Sequence, residues 1–290
     1  MAEMAEGVLL RLTVRSYQRE PAPGAPFDER RFHYEEWPVA VPVRAAAMVL
    51  VDVWDTHVIA SHAARTAEIA RTRIAPALGA ARRAGVTIVH APSPVQARRY
   101  SQWTRYATAA DEQAPAVGAW PPAGADDWPP PAFRRREGAY AQYRRPRVPR
   151  SEGPGSERLG RRVDPSVEPE PDDFVVATGE QLHRLAKDRG ILHLFYAGFA
   201  ANICIPFKDY GVRAFRARGY NVVLLRDCTT AIEGHDTVGA LSGTWQAIRE
   251  LEMADLACTI TSAAFVAACE AAALTGSEKE GAVAPERTRK

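Results

Sequence analysis

Six short apolar runs, all but the second followed by a stretch of helical periodicity, constrain this 290-residue chain more than any other feature. They are Met48–Val51, Val86–His90, Phe174–Ala177, Leu192–Ala197, Asn221–Leu225 and Ala257–Ile260. Apolar runs of this length, bounded by glycine or small residues, suit strands buried on both faces of a parallel sheet. The segments between them read as helices, among them Ala63–Ala84 closed by Gly85 and Glu180–Arg189 closed by Gly190. The expectation is an α/β fold: three α/β/α layers around a mostly parallel, six-stranded, doubly wound sheet.

Two regions depart from this rhythm. Residues 1–44 read as an N-terminal extension with one or two edge strands. Residues 7–18 alternate, with Leu10, Leu12 and Val14 on one face, and prolines confine the stretch after Trp37 to an edge. Residues 45–275 form the main domain. Within it, 92–172 is an irregular insertion rich in Pro, Arg and aromatics, read as a lid or a subunit contact. Arginines interleaved with Tyr and Trp also suit single-stranded nucleic acid. A formal charge of +2 and the absence of an RNA-binding motif favour solvated or internally paired arginines. From 276 to 290 the tail is polar and reads as disordered.

No apolar run reaches the ~20 residues that span a bilayer. The first residues lack the layout of a signal peptide. Four irregularly spaced cysteines form neither a disulfide framework nor a zinc pair. The expected setting is cytoplasmic, with a small-molecule substrate and no nucleic-acid or membrane partner.

In open sheets of this kind the ligand lies beyond the carboxyl ends of the strands. That edge collects Asp52, His90, Thr178, Cys204 and Asp227. Asn202 reads as the cap of a helix running to Arg218, with Cys204 in its first turn, where the field of a helix N-terminus favours a thiolate. A small buried apolar cysteine is the alternative. Asp52 ends an otherwise apolar strand and reads either as a cap or as a proton acceptor beside the thiol. Backbone N–H groups of the Gly198–Asn202 turn could converge in front of Cys204 as an oxyanion hole. Asp55, His57 and His62 form a D-x-H-x4-H run that falls short of fixing a metal, and none is assigned. His90 reads as a pocket residue. His235 enters the pocket or stays in solvent.

Gly198-Phe-Ala-Ala-Asn-Ile-Cys204 resembles the nucleophile motif G-V-x-T-N-x-C of the isochorismatase-like cysteine hydrolases, which include nicotinamidases and carbamoylsarcosine amidases. Met48-Val-Leu-Val-Asp52 resembles that family's first strand, and Arg226-Asp227-Cys228 with His235 a later segment. The resemblance spans about Ala46 to Ala268 without the insertion. It implies Cys204 as nucleophile and Asp52 as general base. It further implies a cis peptide at Phe199-Ala200 and an oxyanion hole from the Ala200 and Cys204 N–H groups. Trp54, Asp55, His57, His90, Thr178, Asn202 and His235 are the expected pocket residues. It implies no cofactor, and a homo-oligomer.

The sequence departs from that pattern at the lysine the family carries after the strand before the nucleophile strand. Here Ala177 or Thr178 stands in its place. Of the four lysines, Lys187 is expected mid-helix and Lys208 one turn past Cys204, so neither fits. His57 or His90 remains as a source of positive charge. The D-x-H segment of nicotinamidases is also absent after His90, which argues against that activity. The expected function is cysteine-dependent hydrolysis of a small amide or related C–N bond through a thioester-type acyl-enzyme. The alternative is a degenerate member that binds without turnover.

Overall fold

The computed structural model describes residues 7–112, 128–144 and 160–281. Parts of the insertion (113–127 and 145–159) and of the tail (282–290) lie outside them.

Eight strands form one sheet: β1 Leu9–Gln18, β2 His33–Pro42, β3 Ala46–Val51, β4 Thr87–Ala91, β5 Phe174–Val175, β6 His193–Gly198, β7 Asn221–Leu225 and β8 Cys258–Ile260. Their order is β2-β1-β8-β7-β6-β3-β4-β5. The six strands from β3 to β8 are parallel, as the six apolar runs require. The N-terminal extension does more than lie against this sheet. It adds two strands: β1 pairs antiparallel with β2 and with β8, and β2, which contains Pro38 and Pro42, is the outer edge. Arg15 on β1 fastens the hairpin through a 3.0 Å bond to the buried Glu252.

The helices that position the site are α1 Ala60–Ile69, α2 Ala75–Ala84, α3 Gly179–Arg189, α4 Cys204–Phe207, α5 Val212–Ala217, α6 Ser242–Met253 and α7 Ser262–Gly281. A π-turn over Ala70–Ile74 joins α1 to α2, just ahead of Pro76. A proline N has no hydrogen to give the preceding turn, and a wider turn accommodates that loss.

Alternate residues of the central strands feed two separate cores. Met48, Leu50, Phe195, Ala197, Val223 and Leu225 pack with Ile74 and Leu78 and with Phe265 and Cys269 of α7. Val49, Val51, Leu194, Tyr196, Val222 and Leu224 pack with Leu182 and Leu185 of α3, Phe215 of α5 and Ile248 of α6. Burial of each large side chain stabilises by about 1.5–3 kcal/mol. Because both faces are covered, the strands read as continuous apolar runs and not as alternation.

The chain moves outward from β3 through β4 to β5, then returns to the other side of β3 for β6, β7 and β8. The reversal lies between β3 and β6, where an open α/β sheet leaves a crevice at the carboxyl ends of its strands.

Candidate active site

Register brings the key residues to that end of the sheet. Val51 pairs with Gly198 on one side and with Ala91 on the other. Asp52, Phe199 and Ser93 therefore leave three adjacent strand ends together. Asp52 adopts a left-handed backbone (φ 47°) and is only 3% exposed. Phe199 N–H donates to the Val51 carbonyl at 2.9 Å, and the Phe199-Ala200 peptide is cis. The Ala200 carbonyl then accepts from Ile203 and Ile205 N–H, closing the turn that leads into α4.

Cys204 opens α4 and is half-buried. Burial pushes its thiol pKa up, and the negative charge of neighbouring Asp52 adds to the rise. The Lys208 charge and the Ala200 N–H pull the other way. The thiol therefore rests protonated, beside a carboxylate able to take its proton. The expected long helix from Asn202 to Arg218 is instead two short ones. Cys204–Phe207 ends at Lys208, whose backbone is extended, and Val212–Ala217 starts after Gly211. A Cβ on Gly211 would stand 2.5 Å from the Ile205 carbonyl oxygen, so the break depends on glycine. Four residues carry too little dipole to make a thiolate; burial and then the neighbouring charges dominate.

The break turns Lys208 inward, where it is 6% exposed. Its Nζ lies 3.8 Å from Asp52 Oδ2 and donates to Ser93 Oγ at 3.1 Å. Ser93 Oγ in turn donates to Asp52 Oδ1 at 3.3 Å. The Lys208 ammonium also stands 5.7 Å from the centre of the buried Tyr210 ring. The expectation that no lysine reaches this position is corrected. It assumed an unbroken helix, on which Lys208 would have followed the helix surface.

Other expected pocket residues are placed elsewhere. His90 is buried on the far side of its strand, 3.1 Å from Asp173 Oδ2, within an ion cluster completed by Arg82. It cannot supply an imidazolium to Cys204. Thr178 caps α3 and donates to Asp111 Oδ1 at 2.6 Å, so the strand end where a lysine was sought anchors the insertion. Arg184 pairs with the same carboxylate. Asn202 is exposed and does not cap α4. Its side-chain amide instead clamps Ile232 through both backbone groups at 3.0 Å. The His235 side chain is 99% exposed and stays out of the pocket. Asp227 binds Ser262 N–H and Oγ at the start of α7.

Trp54 and Asp55 hold the returning end of the insertion. Trp54 bridges Val163, and Asp55 exchanges two 3.1 Å hydrogen bonds with Arg162. His57 stacks edge-on against His62 at 4.8 Å, and His62 packs on Phe199 at 6.3 Å. Burial, with added repulsion from His57 and Arg65, lowers the His62 pKa to about 4. Among the described residues no three His, Cys, Asp or Glu side chains gather as metal ligands, and no helix is long and apolar enough to cross a membrane.

Sequence reasoning missed Lys208, Ser93 and Tyr210. The available signals were a lysine four residues past the candidate nucleophile, and Pro206 and Gly211 flanking it as helix breakers. No local pattern marked Ser93.

Several solved structures are similar to this chain. A cysteine hydrolase from Pseudomonas syringae pv. phaseolicola 1448A is 18% identical, over 80% of this chain and 95% of its own, with a TM-score of 0.48. An isochorismatase family protein from Burkholderia thailandensis is also 18% identical, over 78% and 96%, with a TM-score of 0.42. N-carbamoylsarcosine amidase from Thermoplasma acidophilum is 16% identical, over 75% and 96%, with a TM-score of 0.38. No curated protein sequence matches the chain. The family model for the isochorismatase domain matches residues 46–252, from the first residue of β3 almost to the end of α6 and well over half of the chain. On that match, the chain belongs to the isochorismatase family of hydrolases.

Proposed function

We propose that the protein is a cysteine-dependent hydrolase that cleaves a small amide or related C–N bond through a thioester acyl-enzyme. The observation that carries this reading is the half-buried Cys204 thiol set beside the buried Asp52 carboxylate at the point where strand order reverses. Asp52 takes the thiol proton as sulfur bonds to the carbonyl carbon. The N–H groups of Ala200 and Cys204 receive the oxyanion; among the described residues neither donates to a backbone carbonyl. Collapse of the tetrahedral species breaks the C–N bond, and Asp52 returns the proton to the departing amine. Water, deprotonated by Asp52, then attacks the thioester, releasing the acid and restoring the thiol.

On this reading the substrate is a small molecule and the chemistry takes no cofactor. The enzyme works in the cytoplasm as a homo-oligomer, with no nucleic-acid or membrane partner. Residues 45–275 act as one catalytic domain, over which Trp54 and Asp55 seat part of the 92–172 insertion as a lid. The non-catalytic alternative drew its support from a missing cation; Lys208, 3.8 Å from Asp52, supports the catalytic reading instead. Ammonia or amine release from a panel of small amides and carbamoyl compounds tests the proposal. Turnover should vanish in Cys204→Ala while the circular dichroism spectrum is unchanged; full turnover in that variant overturns the mechanism.

A further inference from the structure

Lys208 is a costly residue to place where it stands. Burying an ammonium carries a penalty of several kcal/mol unless it is paired and hydrogen-bonded. The described partners of its Nζ all belong to one centre: Ser93 Oγ at 3.1 Å, Asp52 Oδ2 at 3.8 Å and the Tyr210 ring at 5.7 Å. At 3.8 Å the contact with Asp52 is an ion pair without a hydrogen bond. The hydrogen-bonded route between the two charges runs through Ser93.

The direction of that route is fixed by chemistry. An ammonium has only donors, so Ser93 Oγ accepts from Lys208. The Ser93 hydroxyl proton is then left to point at Asp52 Oδ1, 3.3 Å away. Removal of Lys208 would leave a buried carboxylate without its counter-charge. Cys204 would then face that negative charge alone, without the positive charge that favours its thiolate.

The strand end beside β4 offers no substitute, because Thr178 is committed to Asp111 and to capping α3. The other ionisable groups facing the centre are Tyr210 and Asp209. Asp209 accepts from Gly179 N–H at 2.8 Å. The Tyr210 hydroxyl is buried beside Ser93. Neither carries a positive charge.

We propose that Lys208, supplied by the segment just after the nucleophile, is the positive charge of this reaction centre, and that Ser93 is the positioning residue that couples it to Asp52. The proposal rests on the hydrolase reading for its purpose, but its test needs no turnover. The test is the rate of Cys204 alkylation by iodoacetamide against pH, resolved by peptide mapping. Half-buried Cys258 serves as the internal control, and Cys228 and Cys269 are buried.

In Lys208→Met the Cys204 profile should move to higher pH, with labelling at pH 8 slower by about tenfold or more. Ser93→Ala should move it the same way by a smaller factor, about threefold to tenfold. Ser93→Thr, which keeps the hydroxyl, should stay within about twofold of the parent. Cys258 labelling should be unchanged throughout. Superimposable Cys204 profiles in the parent, Lys208→Met and Ser93→Ala overturn the proposal. If Lys208→Met does not fold, the Ser93 pair decides: equal profiles for Ser93→Ala and Ser93→Thr overturn it. Loss of the hydrolase reading alone would look different, with the shifts present but no C–N bond cleaved.

Discussion

A Cβ on Gly198 would stand 2.0 Å from the Val51 carbonyl oxygen, and Gly198 has a φ of 118°. The two strands that deliver Asp52 and the nucleophile turn thus cross at a contact that only glycine allows. The site exists because β6 ends in the one residue able to pass β3 this closely.

Gly198→Ala should therefore destabilise the fold by at least about 3 kcal/mol, from backbone strain together with a clash against main chain. Chemical denaturation measures this, and a midpoint within error of the parent contradicts the account of the crossing.

The insertion is tied to the end of β5 by Asp111, which accepts from Thr178, Thr108 and Arg184. Asp111→Ala should cost about 1–3 kcal/mol, because the buried Thr178 hydroxyl loses its acceptor. Limited proteolysis should then cut between residues 92 and 172 faster than in the parent. An unchanged cleavage rate means that Asp111 does not anchor the segment.

His62 is 3% exposed, and its pKa is lowered to about 4 in the folded protein. An unfolded histidine titrates near ~6.5. Between those values the unfolded chain binds a proton that the folded one refuses, so stability falls as pH drops from about 6.5 toward 4. His90, also lowered by burial, acts in the same direction. Denaturation midpoints across this range should fall less steeply in His62→Gln than in the parent. Parallel slopes contradict the assignment.

Much of the sheet was legible because strands covered on both faces must be apolar along their whole length, and β3, β6 and β7 are. Asp52 and Cys204 stood out as chemistry at the ends of such strands. Side-chain direction did not. A strand buried on both sides carries no alternation to show which face His90 takes, and it points at Asp173. Lys208 was hidden for a different reason. Its inward turn comes from a helix break whose tight contact at Gly211 is tertiary. The arginines of the insertion were equally opaque. Arg98 and Arg105 donate to backbone carbonyls of Asp111, Pro171 and Asp173, stapling irregular chain where composition alone also suggested a surface for polyanions.

Attack of Cys204 on acyl carbon, with Asp52 taking the thiol proton, can be followed with an activated acyl ester. Mixing the enzyme with p-nitrophenyl acetate should release a burst of nitrophenolate equal to the enzyme present. The acetyl group should map to Cys204, with no burst in Cys204→Ala and a burst slower by about a hundredfold or more in Asp52→Asn. Acetylation at Cys258 or at surface amines with Cys204 unmodified, or an equal burst in Cys204→Ala, would contradict it.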